Sequence, residues 1–106
     1  MSYRFMRVIV FFDLPTKTKS ERREYSRFRR HLVKNGFIMM QESVYSKIAL
    51  NQNVADGIKA NIKKFKPPAG LVEILVITEK QFSKMEMIVG SKNSNVITTD
   101  ERLLIL

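Results

Sequence analysis

The run Val8-Ile9-Val10-Phe11-Phe12, closed at once by Asp13-Leu14-Pro15, constrains this chain more than any other segment. Five successive β-branched or aromatic residues with no polar position among them fit a strand covered on both faces. Pro15 ends that strand, because its ring fixes φ and its nitrogen has no hydrogen to donate. A carboxylate is thereby left at the strand's carboxyl end. Just beyond it, Thr18-Lys19-Ser20-Glu21 has the spacing of a capping box, with the Thr18 hydroxyl placed to accept a backbone N–H and Glu21 to reach back. The spacing predicts a helix from there to about Asn35-Gly36. On a wheel of about 100° per residue, Tyr25, Phe28 and Leu32 fall within about 60° of one another, and Arg23, Arg27, Arg30 and Lys34 fall opposite them. One face of this helix packs and the other is cationic.

Residues 37–48 alternate in part, with Ile38, Met40, Val44 and Ile48 against Gln41, Ser43 and Lys47, which predicts one long strand with a bulge near Gln41-Glu42. Asn51 or Asn53 is placed to cap a second helix, whose apolar positions Val54, Ile58, Ile62 and Phe65 recur at helical spacing until Pro67-Pro68. Residues 71–78 read as a strand, and 81–89 as another joined to it by a tight turn near Glu79-Lys80. Val96-Ile97-Thr98-Thr99 reads as extended, and the final Leu103, Leu104, Ile105 and Leu106 need cover. Strand-helix-strand followed by helix-strand-strand predicts an α+β, ferredoxin-like fold: a βαββαβ-type antiparallel sheet with two helices on one face, in a single domain over 1–106. The uncovered sheet face and the apolar tail are most simply completed by a second copy, so a homodimer is expected.

Composition bounds the chemistry. The chain has 106 residues, 44% of them hydrophobic, which suits one modest core. Without cysteine there is no disulfide, thiolate metal site or thiol nucleophile. No segment approaches the ~18 apolar residues of a membrane span, so a cytoplasmic protein with no membrane partner is expected. Charge is the more telling quantity. Residues 1–35 hold ten Lys and Arg against Asp13, Glu21 and Glu24, supplying +7 of the formal +9. So local an imbalance is the footprint of a polyanionic partner, most often nucleic acid.

The segment from Val8 to Pro15, the arginine-rich helix after it and Gln41-Glu42-Ser43-Val44-Tyr45 together resemble the CRISPR-associated protein two family, over nearly the whole chain. The terminal Ile97-Thr98-Thr99-Asp100-Glu101-Arg102-Leu103-Leu104-Ile105-Leu106 looks like members that accompany type II systems. The resemblance implies a ferredoxin-like homodimer in which the C-terminal strand of each chain, with Leu103, Leu104, Ile105 and Leu106, completes the partner's sheet. That homodimer would bridge subunits of an integrase, CRISPR-associated protein one, during spacer acquisition. Duplex prespacer DNA would lie across that assembly. It also implies, for some members, a magnesium-dependent endonuclease acting on single-stranded RNA or duplex DNA and centred on the aspartate that matches Asp13. Asp13 is thus the expected catalytic and metal-binding residue. Were the dimer axis to pass near the end of the first strand, two Asp13 side chains would share one Mg2+ and its waters, and water of lowered pKa would be available to attack a phosphodiester.

Plainer readings stand beside these. An aspartate before Leu-Pro is commonly a cap for the turn or helix that follows. The stripe of Arg23, Arg27, Arg30 and Lys34 is either a solvated face or a phosphate-binding one. Glu24 is the only carboxylate near it, and repulsion at i, i+4 spacing favours phosphate. His31, on the flank of that helix, reads as a surface residue or as support for a neighbour, not as a catalytic acid or base. Lys59, Lys63, Lys64 and Lys66 read as an ordinary exposed face. Tyr45 fits a packed position in the sheet or dimer interface better than a base-stacking one. The methionines, Met39, Met40, Met85 and Met87 among them, read as adaptable filler. An RNA-recognition-motif module would share the sheet, but its aromatic RNP pattern is missing and the third strand is aliphatic.

Overall fold

The computed structural model describes residues 5–90. In chain order these form β1 (Met6–Asp13), α1 (Lys19–Lys34), β2 (Ile38–Gln41), β3 (Val44–Ala49), α2 (Gln52–Lys64), β4 (Leu71–Thr78) and the short α3 (Glu79–Phe82). The strands make one sheet in the order β2-β3-β1-β4, and every neighbouring pair is antiparallel. This is the ferredoxin-like βαββαβ arrangement. The expected strand formed by Leu103, Leu104, Ile105 and Leu106, and the extended 96–99, lie outside the described residues.

Burial of β1 follows from its central place. Its even-numbered side chains, Val8, Val10 and Phe12, share one buried cluster with Phe28 and Leu32 of α1 and with Ala55 and Ile62 of α2, so both helices pack on the same sheet face. Tyr45 and Ala49, opposite Val10 and Met6 in the register, join from β3. Each large apolar side chain so buried contributes about 1.5–3 kcal/mol. Phe12 sits amid aromatic rings, edge-on to Phe28 at 5.3 Å and stacked with Tyr45 at 5.7 Å, with Tyr25 at 5.9 Å. The residue immediately before Asp13 is therefore held on several sides.

The helix signals behave as their chemistry requires. Thr18 Oγ1 accepts from the Glu21 N–H at 3.1 Å, and Glu21 Oε1 accepts from the Thr18 N–H at 3.0 Å. Arg22 donates to the carbonyls of Thr16 and Lys17, at 3.1 and 2.9 Å, and so fastens the β1–α1 connection to the helix. At the other end Gly36 takes φ +91°, its N–H returns to the Val33 carbonyl, and the Phe37 N–H returns to that of Leu32. This is a Schellman ending, with Leu32 and Phe37 both buried. Asn51 caps α2 by accepting from the Val54 N–H at 2.9 Å.

Two expectations fail. Residues 37–48 are not one long strand but a hairpin of β2 and β3, turned at Glu42-Ser43, with a register irregularity between Met39 and Gln41. Ser43 adopts φ +66°, a conformation that L-residues other than Asn, Asp and Gly rarely take, so no glycine or Asn-Gly pair marks the turn in the sequence. Residues 81–89 are not a strand either. Thr78 and Gln81 form a second capping box that starts α3, with bonds of 3.0 and 2.9 Å. Arg7 of β1 then grips Glu79 with two hydrogen bonds, at 2.9 and 2.6 Å, and lies 4.1 Å over the Phe82 ring. This bidentate, part-buried ion pair fastens the first residue of α3 to β1.

Candidate metal and nucleic-acid site

Asp13 ends β1 on the sheet face away from α1 and α2, because alternation along the strand sends Arg7, Ile9, Phe11 and Asp13 to one side. Its side chain is exposed, and among the described residues the carboxylate has no hydrogen-bond or ion-pair partner. The helix cap that a plainer reading assigned to it is supplied instead by Thr18. Asp13 borders a shallow hollow of about 170 Å³ lined by Phe11, Phe12, Ser43, Val44, Leu71 and Glu73. The register sets Asp13 opposite Leu71 and Phe11 opposite Glu73, so the two carboxylates are diagonal neighbours on one face. Ser43 reaches the same place because the hairpin turn docks on β1, its carbonyl accepting from the Phe12 N–H at 3.1 Å.

Glu73 and Ser43 were not singled out from the sequence. For Glu73 a signal exists: it is the one charged position in the otherwise aliphatic Leu71-Val72-Glu73-Ile74-Leu75-Val76. For Ser43 the only signal is its place in the Gln41-Glu42-Ser43-Val44-Tyr45 segment, since it is the turn's conformation that brings it there.

Among the described residues no group of three or more His, Cys, Asp or Glu side chains is placed to hold a metal ion. One chain thus offers two carboxylates and a serine at this end of the sheet. That donor set suits a hard, oxygen-seeking ion that keeps most of its waters, and it becomes a fuller site only if a second copy adds its own carboxylate. Ile9 and Ser46 are buried on this face, but part of it is apolar and open: Ile38, Ile48, Leu71 and Leu75 are all about half exposed or more, at 67, 50, 55 and 48%.

The cationic stripe lies elsewhere. Arg23, Arg27, Arg30 and Lys34 are all exposed along α1, spread over roughly 16 Å of helix axis. Arg27 pairs with Glu24 at 3.1 Å, and among the described residues Arg23, Arg30 and Lys34 form no ion pair. Arg27, Arg30 and Lys34 border a hollow with Arg29 and Phe65, not with Asp13. The structure therefore separates two features that the sequence put in neighbouring segments.

His31 is half-buried and tied to both helices, through Asn61 at 2.9 Å and Asn35 at 3.3 Å, so it supports its neighbours as expected. Tyr45 is a core residue with only 1% of its surface exposed. Lys63 and Lys64 are exposed and Lys59 is half-buried, its stem beside Ile62 and Ile74. Met39, Met85 and Met87 are more than half exposed. No helix among the described residues is long and apolar enough to cross a membrane.

Comparison with known proteins gives the family and supports the fold. The family model for CRISPR associated protein Cas2 matches residues 6–85. A protein of Treponema denticola named CRISPR-associated endoribonuclease Cas2 is 56% identical over 101 residues, covering 95% of this chain and all of that one. One of the same name from Ligilactobacillus salivarius is 42% identical over the same shares. A solved structure titled as the crystal structure of cas2 superposes with a TM-score of 0.57 at 17% identity, over 90% of this chain and 97% of that one, and supports the fold. The chain belongs to the CRISPR-associated protein Cas2 family.

Proposed function

We propose that this chain acts as a homodimeric, magnesium-dependent endonuclease of CRISPR adaptation, with Asp13 of each copy as the metal-binding and catalytic carboxylate. The observation that carries the reading is the exposed, unpartnered carboxylate of Asp13 at the rim of an apolar sheet face, with Glu73 beside it. An aspartate kept only for structure would be spent on a cap or an ion pair. The half-exposed Ile38, Ile48, Leu71 and Leu75 supply surface for a second copy, and the relatives' name, endoribonuclease, supports nuclease chemistry.

In this reading Asp13 holds the ion, Glu73 adds negative charge at the same hollow, and Phe12, locked among aromatic rings, fixes the strand end against displacement. Bound there, magnesium would supply activation of water and charge neutralisation at the scissile phosphate. The cationic residues of α1 hold the nucleic-acid backbone without reading its sequence.

A second reading is favoured by the separation of Asp13 from the α1 stripe. In it the homodimer is a non-catalytic bridge between subunits of the integrase, CRISPR-associated protein one, and Arg23, Arg27, Arg30 and Lys34 bind duplex prespacer DNA. The deciding experiment compares wild type with Asp13→Ala for Mg2+-dependent cleavage of labelled single-stranded RNA and duplex DNA. Loss of cleavage in a variant of unchanged thermal stability is the expected result. Equal cleavage by both proteins, or none by wild type, leaves the bridge as the function.

A further inference from the structure

The hollow beside α1 has features that phosphate contact along the helix does not require. It measures about 480 Å³, within the roughly 300–1,000 Å³ of small-ligand pockets, and joins Arg27, Arg29, Arg30, His31 and Lys34 to Phe65, the residue that ends α2. Arg27, Arg30, His31 and Lys34 stand at i, i+3, i+4 and i+7, one ridge of the helix. Phe65 comes from more than thirty residues away in the chain, yet its ring stacks on His31 with centroids 3.9 Å apart and planes 28° from parallel.

His31 is held in place on both sides. Nε2 meets Asn61 Oδ1 at 2.9 Å and Nδ1 meets the Asn35 amide at 3.3 Å, while that amide also donates to the His31 carbonyl at 2.8 Å. With these amide orientations the imidazole donates through Nε2 and accepts through Nδ1. Phe65 therefore rests on a fixed plane, and it remains 38% exposed in the middle of a cationic patch.

We propose that this hollow is a pocket for an unpaired nucleotide of a nucleic-acid strand, whose base stacks on Phe65 while its flanking phosphates meet Arg27, Arg30 and Lys34. The proposal rests on the reading that the α1 stripe meets phosphate, and adds to it what kind of strand is held. The chemistry selects the ligand. Inorganic phosphate or an acidic peptide would satisfy the guanidinium groups and leave the ring in water. An apolar protein surface would cover the ring and strand the cations without solvent. A nucleotide alone among these brings a flat π face and anionic charge together, and arginines beside the ring add favourable contact with both. In a continuous duplex the bases are stacked and paired internally, so a strand end or an unpaired nucleotide is required.

The test uses the full-length protein and short single strands carrying one 2-aminopurine, in ribose and deoxyribose forms, beside a duplex without overhangs. Phe65→Leu keeps an apolar side chain and removes the ring. It is expected to weaken single-strand binding about 5- to 150-fold and to abolish 2-aminopurine quenching, leaving duplex affinity unchanged. Phe65→Tyr is expected to retain both signals, which separates stacking from damage to the fold. Arg30→Glu is expected to weaken single strand and duplex alike and to reduce the salt slope by about one unit per chain. Unchanged single-strand binding in Phe65→Leu, or equal loss for single strand and duplex, overturns the pocket while an Arg30→Glu effect leaves the stripe standing. No effect of Arg30→Glu on either probe overturns the stripe and the pocket together. Loss confined to the ribose or to the deoxyribose strand supports the pocket and names its sugar.

Discussion

Gly70, in the connection from α2 to β4, takes φ +99°, and a Cβ added there would lie 2.7 Å from Leu14 Cδ2, 2.8 Å from the Asp13 carbonyl oxygen and 3.1 Å from Leu14 Cα. Gly70→Ala therefore imposes two separate costs. Holding an L-residue at that φ costs about 1–3 kcal/mol. Forcing a methyl group against backbone atoms costs about 1–3 kcal/mol more, because a flexible leucine tip can move aside but the Asp13–Leu14 peptide, pinned by its place in the sheet, cannot. Together the loss is about 2–6 kcal/mol, against total stabilities of about 5–15 kcal/mol. At about 4–8 °C per kcal/mol for a domain of this size, the midpoint falls by at least about 8 °C. Thermal unfolding followed by circular dichroism measures that shift, and urea unfolding the loss in free energy. Repeating the change in a Leu14→Ala background isolates the backbone contact: the leucine tip is gone, the Asp13 carbonyl and Leu14 Cα remain, and most of the penalty persists. A loss below about 1 kcal/mol in the wild-type background would refute the reasoning, and so would full rescue by Leu14→Ala.

Three further outcomes are expected. Glu79→Gln leaves the part-buried Arg7, whose side chain is 14% exposed, without its carboxylate, and costs about 1–3 kcal/mol by thermal unfolding, with Arg7→Met plus Glu79→Leu costing less than the single change. Gly57→Ala, at an exposed helical position where a Cβ meets nothing within 4 Å, stabilises by about 0.5–1 kcal/mol, read as a raised urea midpoint. Leu75→Glu, on the open sheet face assigned to the proposed homodimer, leaves the monomer fold intact by circular dichroism and weakens that proposed association at least tenfold, about 1.4 kcal/mol, in sedimentation equilibrium.

Local chemistry made much of this protein legible before any coordinates. Pro15 has no N–H and so ends β1 at Asp13, as the sequence reading has it. Thr18 and Glu21 cap α1 because each side chain reaches the other's backbone, and Phe28 and Leu32 pack because helical periodicity puts them on one face. Asn51 caps α2 for the same local reason. These determinants span a turn or two of chain, and nothing distant overrides them.

Most of what escaped the sequence is long-range or conformational. The β2–β3 turn depends on Ser43 at positive φ, a conformation that its residue type does not announce. α3 starts at a Thr78–Gln81 capping box that the reading of a tight turn at Glu79-Lys80 overlooked, and Arg7, 72 positions away from Glu79, ties it to β1. The arginine stripe was visible, but its partner ring Phe65 was not, because α2 contributes that residue only after both helices pack on the sheet. Likewise Asp13 could be chosen from its place at a strand end, whereas Glu73 joins it only through the β1–β4 register. Sequence by itself determined α1 and α2, the capping box of α1 and the strand that carries Asp13, since each follows from contacts between near neighbours. Tertiary structure alone decided which side chains meet at each hollow, since strand register and helix docking are properties of the whole packed chain.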